Sequence, residues 1–141
     1  MTLEQESIRA RLRELDTVIA ELSKYRHLTI SDIKADLSQR WIIERGLLAA
    51  ASMIFDIANH ILASQFNNYP DTYESILAEL ARQTVISDEL YSQMKGLGGF
   101  RNILVHEYIR IDPKEVYKSF VKGLDIFPAF MKEIIQWLEK L

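Results

Sequence analysis

The sequence predicts an all-α fold, an up-and-down bundle of four to five helices that forms a single domain over residues 1–141. Apolar residues recur at helical spacing over most of the chain, and strand-like alternation is nearly absent. Proline and glycine are few and lie mainly between the periodic segments. With 48% hydrophobic and 26% charged residues, a chain of 141 residues suits one core.

The first helix is predicted over Leu3 to Tyr25. One face carries apolar residues at alternating spacings of four and three, namely Ile8, Leu12, Leu15, Ile19 and Leu22. Such a seam packs against another helix, and the opposite face is charged.

The second helix is predicted from a cap at Ser31 and Asp32 to about Phe66, which makes it the longest element. Apolar residues recur every seven positions along it, at Trp41, Leu48, Phe55 and Leu62. Because a neighbouring row is also apolar, we expect this helix to have partners on two sides.

A turn is predicted at NNYPD, residues 67–71, before a shorter third helix. Asp71 and Glu74 have the spacing of a capping box for that helix, which is expected to end near Gln83. Ser87 then begins the helix that leads into residues 101–108.

Three glycines, Gly96, Gly98 and Gly99, stand just before Phe100. Each costs a helix roughly 1 kcal/mol relative to alanine, so a reason for them is expected. Either two helices cross closely there, which is the interpretation we favour, or the backbone is left open to a phosphate or a partner chain.

The last helix is predicted from Asp112, a cap followed by Pro113 at the first helical position, to the C-terminus. Gly123 and Pro128 interrupt its pattern, so we expect a kink or break between them.

Composition excludes several classes of protein. The chain has no cysteine, which rules out disulfides and thiolate metal sites and makes the cytoplasm the default compartment. The longest nearly apolar run, Gly46 to Phe55, falls far short of the ~20 residues that span a bilayer, so no membrane association is expected. Three scattered histidines, His27, His60 and His106, do not have the spacing of a metal site. We therefore expect neither a metal nor a cofactor.

The segment RNILVHEY, Arg101 to Tyr108, places a cation, an amide, an imidazole and a phenol within eight residues. An imidazole both takes and gives protons near neutrality, so His106 is the candidate general acid or base. Arg101 is a fixed cation able to bind an anionic oxygen in two places. Asn102 lies ~40° from His106 on an ideal helix, so its amide could orient the imidazole or hold a phosphate oxygen.

The order Arg101, four residues, His106, one residue, Tyr108 resembles the R-x4-H-x-Y motif of HepT-like toxins, the ribonuclease members of the HEPN superfamily. Residues 43–62, IERGLLAAASMIFDIANHIL, are similar to the family's long second helix, with Glu44, Asp56 and His60 in corresponding positions. The phrase GFRN also stands where the family has it. The resemblance extends from about residue 22 to residue 117.

The resemblance implies a metal-independent endoribonuclease that acts on tRNA or mRNA as the toxin of a toxin–antitoxin pair. It also implies a homodimer with a shared cleft, in which Arg101 and His106 are catalytic and Asn102 supports them. Tyr108 is then the residue that accepts AMP from a minimal nucleotidyltransferase antitoxin. The alternative is a non-catalytic helical dimer that binds a nucleotidyltransferase partner or a nucleotide.

Arg101 and His106 diverge by ~140° on an ideal helix, which is awkward if both must reach one phosphate. Either the glycines break the helix and redirect Arg101, or two copies of the chain complete one site. Dimerisation is what the resemblance favours.

Two further groups of residues have open interpretations. Asp56 and His60, four apart, form either a structural hydrogen-bonded pair, which we favour, or an outer layer that orients the motif. A cationic stripe follows the motif and serves either as an RNA-binding surface or as an ordinary solvated face. Its members are Arg110, Lys114, Lys118 and Lys122. Since the net charge is -3, any RNA-binding surface must be local.

Overall fold

Helices make up most of the computed structural model, which describes residues 2–106 and 111–141. They are α1 (Leu3–Ser23), α2 (Ile30–Ala35), α3 (Leu37–Phe66), α4 (Tyr73–Arg82), α5 (Asp88–Met94), α6 (Leu97–His106) and α7 (Pro113–Glu139). No strand occurs within those two ranges. The all-α prediction is confirmed, with more and shorter helices than the four to five expected.

The long helix α3 lies at the centre of the bundle and contacts α1, α2, α4, α6 and α7. Its buried side chains, among them Leu47, Ile54 and Ile61, face several partners at once. By length and composition α3 could cross a membrane, but half of its most apolar 18-residue window is buried in the bundle. The core helix of a helical domain has the same composition, so the prediction of two-sided packing accounts for it.

The predicted seam of α1 is confirmed, since all five of its apolar residues are buried. It packs on α3 at very short range: a Cβ added at Gly46 would lie 2.4 Å from Leu22 Cδ2. Burying each leucine or isoleucine of the seam stabilises the fold by about 1.5–3 kcal/mol.

The prediction of one helix from Ser31 to Phe66 is wrong, because the chain breaks at Asp36. Asp36 has extended backbone angles (φ −127°, ψ 105°), and its carboxylate accepts hydrogen bonds from the backbone N–H groups of Ser38 and Gln39. It thereby satisfies donors at the start of α3 that no helix carbonyl reaches. The short α2 before it is capped by Thr29, not by Ser31.

The expected capping box of α4 is displaced by one residue, from Asp71 and Glu74 to Thr72 and Ser75. The Glu74 carboxylate instead accepts a hydrogen bond from the Gly96 backbone N–H at 2.9 Å. Gly96 has a positive φ of 91° and separates α5 from α6. The start of α4 is therefore tied to the turn that precedes the Arg101–His106 segment.

The last helix begins as predicted, with Asp112 accepting a hydrogen bond from the Lys114 N–H at 2.9 Å and Pro113 at the first position. It continues through Gly123 and Pro128 without a break. A Cβ at Gly123 would lie 2.7 Å from the Phe127 ring, so the glycine makes room for a buried aromatic side chain. Burial of that face keeps the helix intact although proline removes one backbone hydrogen bond.

Candidate functional site

Helix α6 holds three of the predicted site residues and sets the direction of each. Gly98 and Leu104 are its buried residues, and Arg101 lies ~60° from both on an ideal helix. Arg101 therefore leaves α6 on the side that faces the bundle and is half-buried. Asn102 and His106 are exposed.

The break at Gly96 comes before α6 begins, so it does not change the angle between Arg101 and His106. Both residues belong to one uninterrupted helix and diverge by ~140° as ideal geometry requires. The explanation that glycines redirect Arg101 towards His106 is wrong. The other interpretation, in which two copies of the chain complete one site, stays a prediction.

The Arg101 guanidinium is held by two other helices. It lies over the Tyr73 ring of α4, 4.9 Å from the ring centre, and its Nε donates a hydrogen bond to Ser52 Oγ of α3 at 3.4 Å. A guanidinium over an aromatic face is attracted by the ring quadrupole. These contacts orient the cation while leaving part of it open to solvent.

Tyr73 is itself held in a stack. Its ring lies 4.6 Å from the Phe55 ring, and a Cβ added at Gly98 would come within 2.4 Å of the Tyr73 Cβ. Close packing is thus confirmed as the reason for Gly98. At Gly99 an added Cβ would meet nothing within 4 Å, so that glycine leaves the backbone open.

Asn102 contacts Arg101 in this structure. Arg101 Nη1 donates to Asn102 Oδ1 at 3.4 Å, a long hydrogen bond between exposed groups. Orientation of the His106 imidazole by Asn102 stays a prediction. His106 is the last described residue of α6, and its side chain is exposed.

The predicted cationic stripe is described in part. Lys114, Lys118 and Lys122 are exposed on α7, within ~80° of one another on an ideal helix. Arg110 and the predicted AMP acceptor Tyr108 lie outside the described residues.

The predicted hydrogen bond between Asp56 and His60 is absent. Asp56 instead pairs with Arg11 of α1, with 2.9 Å between Oδ2 and Nε. The His60 Nε2 is buried without a partner among the described residues. Asp56 therefore links two helices on the surface, a contact that contributes at most about 1 kcal/mol.

Glu44, on the core helix, is held beside a cation. Its Oε2 lies 2.7 Å from Arg40 Nε, and the two side chains are 12% and 22% exposed. The two atoms make a charge contact and not an aligned hydrogen bond. Burial raises the pKa of the Glu44 carboxyl, because the charge of Arg40 offsets only part of the cost of removing a carboxylate from water.

Ser52 and Tyr73 are the site residues that sequence reasoning missed. Ser52 had a signal, since it is a hydroxyl within the apolar run from Gly46 to Phe55. Tyr73 had none, because nothing in its local sequence shows that it lies under Arg101. In the described ranges no three His, Cys, Asp or Glu side chains gather to hold a metal ion.

Comparisons with known proteins agree with the resemblance. A family model described as ribonuclease HepT-like matches residues 15–134. The chain is 29% identical over 131 residues to a tRNA nuclease HepT of Aphanizomenon flos-aquae, covering 93% of this chain and 89% of that protein. It is 28% identical over 104 residues to an mRNA nuclease HepT of Shewanella oneidensis, covering 74% and 78%.

A solved structure shares the fold. It is the tri-AMPylated HEPN toxin of Shewanella oneidensis in complex with an MNT antitoxin, with a TM-score of 0.76, 24% identity, and coverage of 96% of this chain and 99% of that one. The family model extends over most of the helical bundle, including all of α6. The chain belongs to the HepT-like ribonuclease family, and its enzymatic class is endoribonuclease.

Proposed function

We propose that this chain is the toxin of a toxin–antitoxin pair, a metal-independent endoribonuclease that uses Arg101 and His106 and is silenced by AMPylation of Tyr108. The observation that carries the proposal is the arrangement on α6. An oriented, partly open guanidinium and an exposed imidazole lie on one short helix. These are the two kinds of group that RNA cleavage needs when no metal takes part.

In the proposed reaction the ribose 2′-oxygen attacks the adjacent phosphorus and the bond from phosphorus to the 5′-oxygen breaks. A base takes the proton of the 2′-hydroxyl, and an acid gives a proton to the departing 5′-oxygen. His106 has the chemistry for either proton transfer. Arg101 binds the nonbridging oxygens, whose negative charge grows in the transition state.

Two copies of the chain are needed for this reaction. Arg101 is anchored by Ser52 and Tyr73 on the inner side of α6, while His106 leaves the exposed side. Turning Arg101 towards His106 would break both of these contacts. A two-fold arrangement brings Arg101 of one copy towards His106 of the other and creates two equivalent sites.

Regulation by a nucleotidyltransferase antitoxin is supported by the tri-AMPylated toxin whose fold this chain shares. Tyr108 follows His106 by two residues. AMP groups on its hydroxyl would add negative phosphates beside the imidazole and repel the RNA backbone. The proposed partners are thus a second copy, an antitoxin of that class and RNA, with tRNA and mRNA both retained as substrates because the relatives' names include each.

The first test compares His106→Ala and Arg101→Gln with the wild type on tRNA and mRNA in excess EDTA. Loss of the acid–base group should slow cleavage by about 10²-fold or more, and loss of the cation by a similar factor. Matched controls are His27→Ala and Arg26→Gln, which alter exposed residues in the α1–α2 loop and should cleave normally. Loss of wild-type activity on adding EDTA would contradict metal independence.

Equal cleavage by the wild type and both α6 variants would mean that Arg101 and His106 are not catalytic. If well-folded wild-type protein cleaves neither RNA, the non-catalytic dimer is the better interpretation. Mass spectrometry of the purified chain should accompany the assay, because an AMP group on Tyr108 would also block cleavage.

A second test mixes the two inactive variants after partial denaturation and refolding. If each site takes Arg101 from one copy and His106 from the other, a mixed dimer has one intact site and one doubly altered site. Random pairing then restores about a quarter of wild-type activity. No recovery, although mixed dimers are shown to form, would place both residues of a site on one chain.

A further inference from the structure

A groove runs beside α6, on the side turned away from Tyr73. It has a volume of about 460 Å³ and lies between the α5–α6 turn, the outer side of α6 and the first half of α7. Pockets for small ligands range from about 300 to 1,000 Å³, so one nucleotide would fit. Neither Arg101 nor Ser52 lines it.

The floor of the groove is apolar and partly aromatic. Leu97, Phe100 and Ile103 come from α6, and Ile126 comes from α7. Ile103 is 37% exposed, which leaves apolar surface open on this side of α6. A flat, uncharged ring could cover that surface.

Cations outnumber acids along the rim. Lys118 and Lys122 line the α7 side, one helical turn apart, and Lys95 lies at the α5–α6 turn. The Lys95 ammonium is placed over the Tyr91 ring, 5.1 Å from its centre, so it is partly engaged. Asp112 and Glu115 are the acids of the lining. The groove thus combines an apolar floor with a positive edge.

The groove adjoins the predicted catalytic imidazole. Ile103 and His106 are three residues apart on α6, ~60° and ~4.5 Å along the axis on an ideal helix. Gly99 lines the groove between Ile103 and the α5–α6 turn, and an added Cβ there would meet nothing within 4 Å. A chain bound in the groove would therefore lie within about one helical turn of His106, which does not itself line the groove.

We propose that this groove binds the nucleotide next to the cleaved bond. Its base packs on Phe100 and Ile103, and its phosphate is held by Lys118 and Lys122. The groove would thereby position RNA for cleavage, an inference that rests on the proposed function. Single-stranded RNA is the occupant that fits both halves of the groove, because each nucleotide joins an apolar ring face to an anionic phosphate.

The test measures the affinity of the intact wild-type dimer and its variants for a labelled 2′-O-methyl RNA, which lacks the nucleophile and is not cleaved. Lys118→Gln and Lys122→Gln should each weaken binding several-fold and lower the slope of log affinity against log salt by about 0.7. Ile103→Ser should weaken binding about fivefold or more without changing that slope.

Matched controls come from α7. Lys132→Gln removes an exposed lysine, and Val121→Ser removes a side chain that is 46% exposed; neither residue lines the groove. Both should bind like the wild type. Circular dichroism and size-exclusion chromatography with light scattering establish that all variants are folded and in the same oligomeric state.

An abasic nucleotide moved along the RNA gives the sharpest result. At one position of the RNA, the abasic nucleotide should weaken binding to the wild type. At that same position it should weaken binding to Ile103→Ser little further, because the variant has already lost the contact with the base. If wild-type protein cleaves RNA but the groove variants bind and cleave like their controls, the groove proposal fails while the proposed function stands. If the groove variants change the oligomeric state and leave RNA affinity unchanged, the groove binds a second copy of the chain and the proposal fails. Absence of any RNA binding or cleavage by the wild type would overturn both.

Discussion

Gly98 and Gly99 offer a matched pair of substitutions, since they are adjacent on α6 and replacement by alanine changes helix propensity equally. At Gly99 an added Cβ meets nothing within 4 Å, so Gly99→Ala should stabilise the protein by about 1 kcal/mol. At Gly98 the Cβ would lie 2.4 Å from the Tyr73 Cβ, a contact that cannot be relieved by rotating the ring. Overpacking of this kind costs about 1–3 kcal/mol.

Because both variants gain the same helix propensity, the difference between their free energies of unfolding measures the overpacking alone. Gly98→Ala should therefore be less stable than Gly99→Ala by about 1–3 kcal/mol, as measured by urea unfolding followed at 222 nm. Gly98→Ala should also lower RNA cleavage, because displacement of Tyr73 moves the Arg101 guanidinium above it. Equal stability of the two variants would refute the close crossing of α4 and α6, and normal cleavage by Gly98→Ala would refute its link to Arg101.

Three other predictions follow from single contacts. Glu44→Gln should flatten the pH dependence of stability. Because the carboxyl pKa is raised in the folded state, the free energy of unfolding of the wild type falls as pH rises from the ordinary value of 4.5 through the folded value. The same pH dependence in urea unfolding of the wild type and of Glu44→Gln would contradict this. Asp36→Ala should cost about 0.5–2 kcal/mol in thermal or urea unfolding, whereas Ser31→Ala, at an exposed residue that caps no helix, should change stability by less than about 0.5 kcal/mol. Tyr73→Leu should slow cleavage about two- to fivefold and Tyr73→Phe should not, because only the ring attracts the Arg101 guanidinium; equal rates for the two variants would count against that contact.

Helix periodicity predicted the fold well because burial of an apolar face is a property of local sequence. The seam of α1 and the wide apolar arc of α3 were both visible, and both are buried as expected. Helix ends were less predictable. Ser31 and Thr29 are both acceptable capping residues, and the apolar periodicity continues past Asp36. The sequence therefore did not show where the backbone leaves the helical conformation, and the N–H groups left unpaired at those points are the ones that Thr29 and Asp36 cap.

The candidate site likewise has a part that local sequence predicted and a part that it did not. Arg101, Asn102 and His106 were identified by residue type and spacing, which are properties of the sequence. Ser52, 49 residues away in the chain, was not, because its role depends on how α3 and α6 cross. The expected bond from Asp56 to His60 is replaced by an ion pair with Arg11 of α1, a residue 45 positions away in the chain.

The sequence by itself determined the all-α class, the family resemblance and the chemical groups available on α6. The tertiary structure alone decided which way those groups point. Gly98 under Tyr73 sets the rotation of α6, so Arg101 faces the bundle and His106 faces solvent. That rotation is a packing property of side chains distant in sequence, because a helix alone has no preference for which of its faces is turned inward.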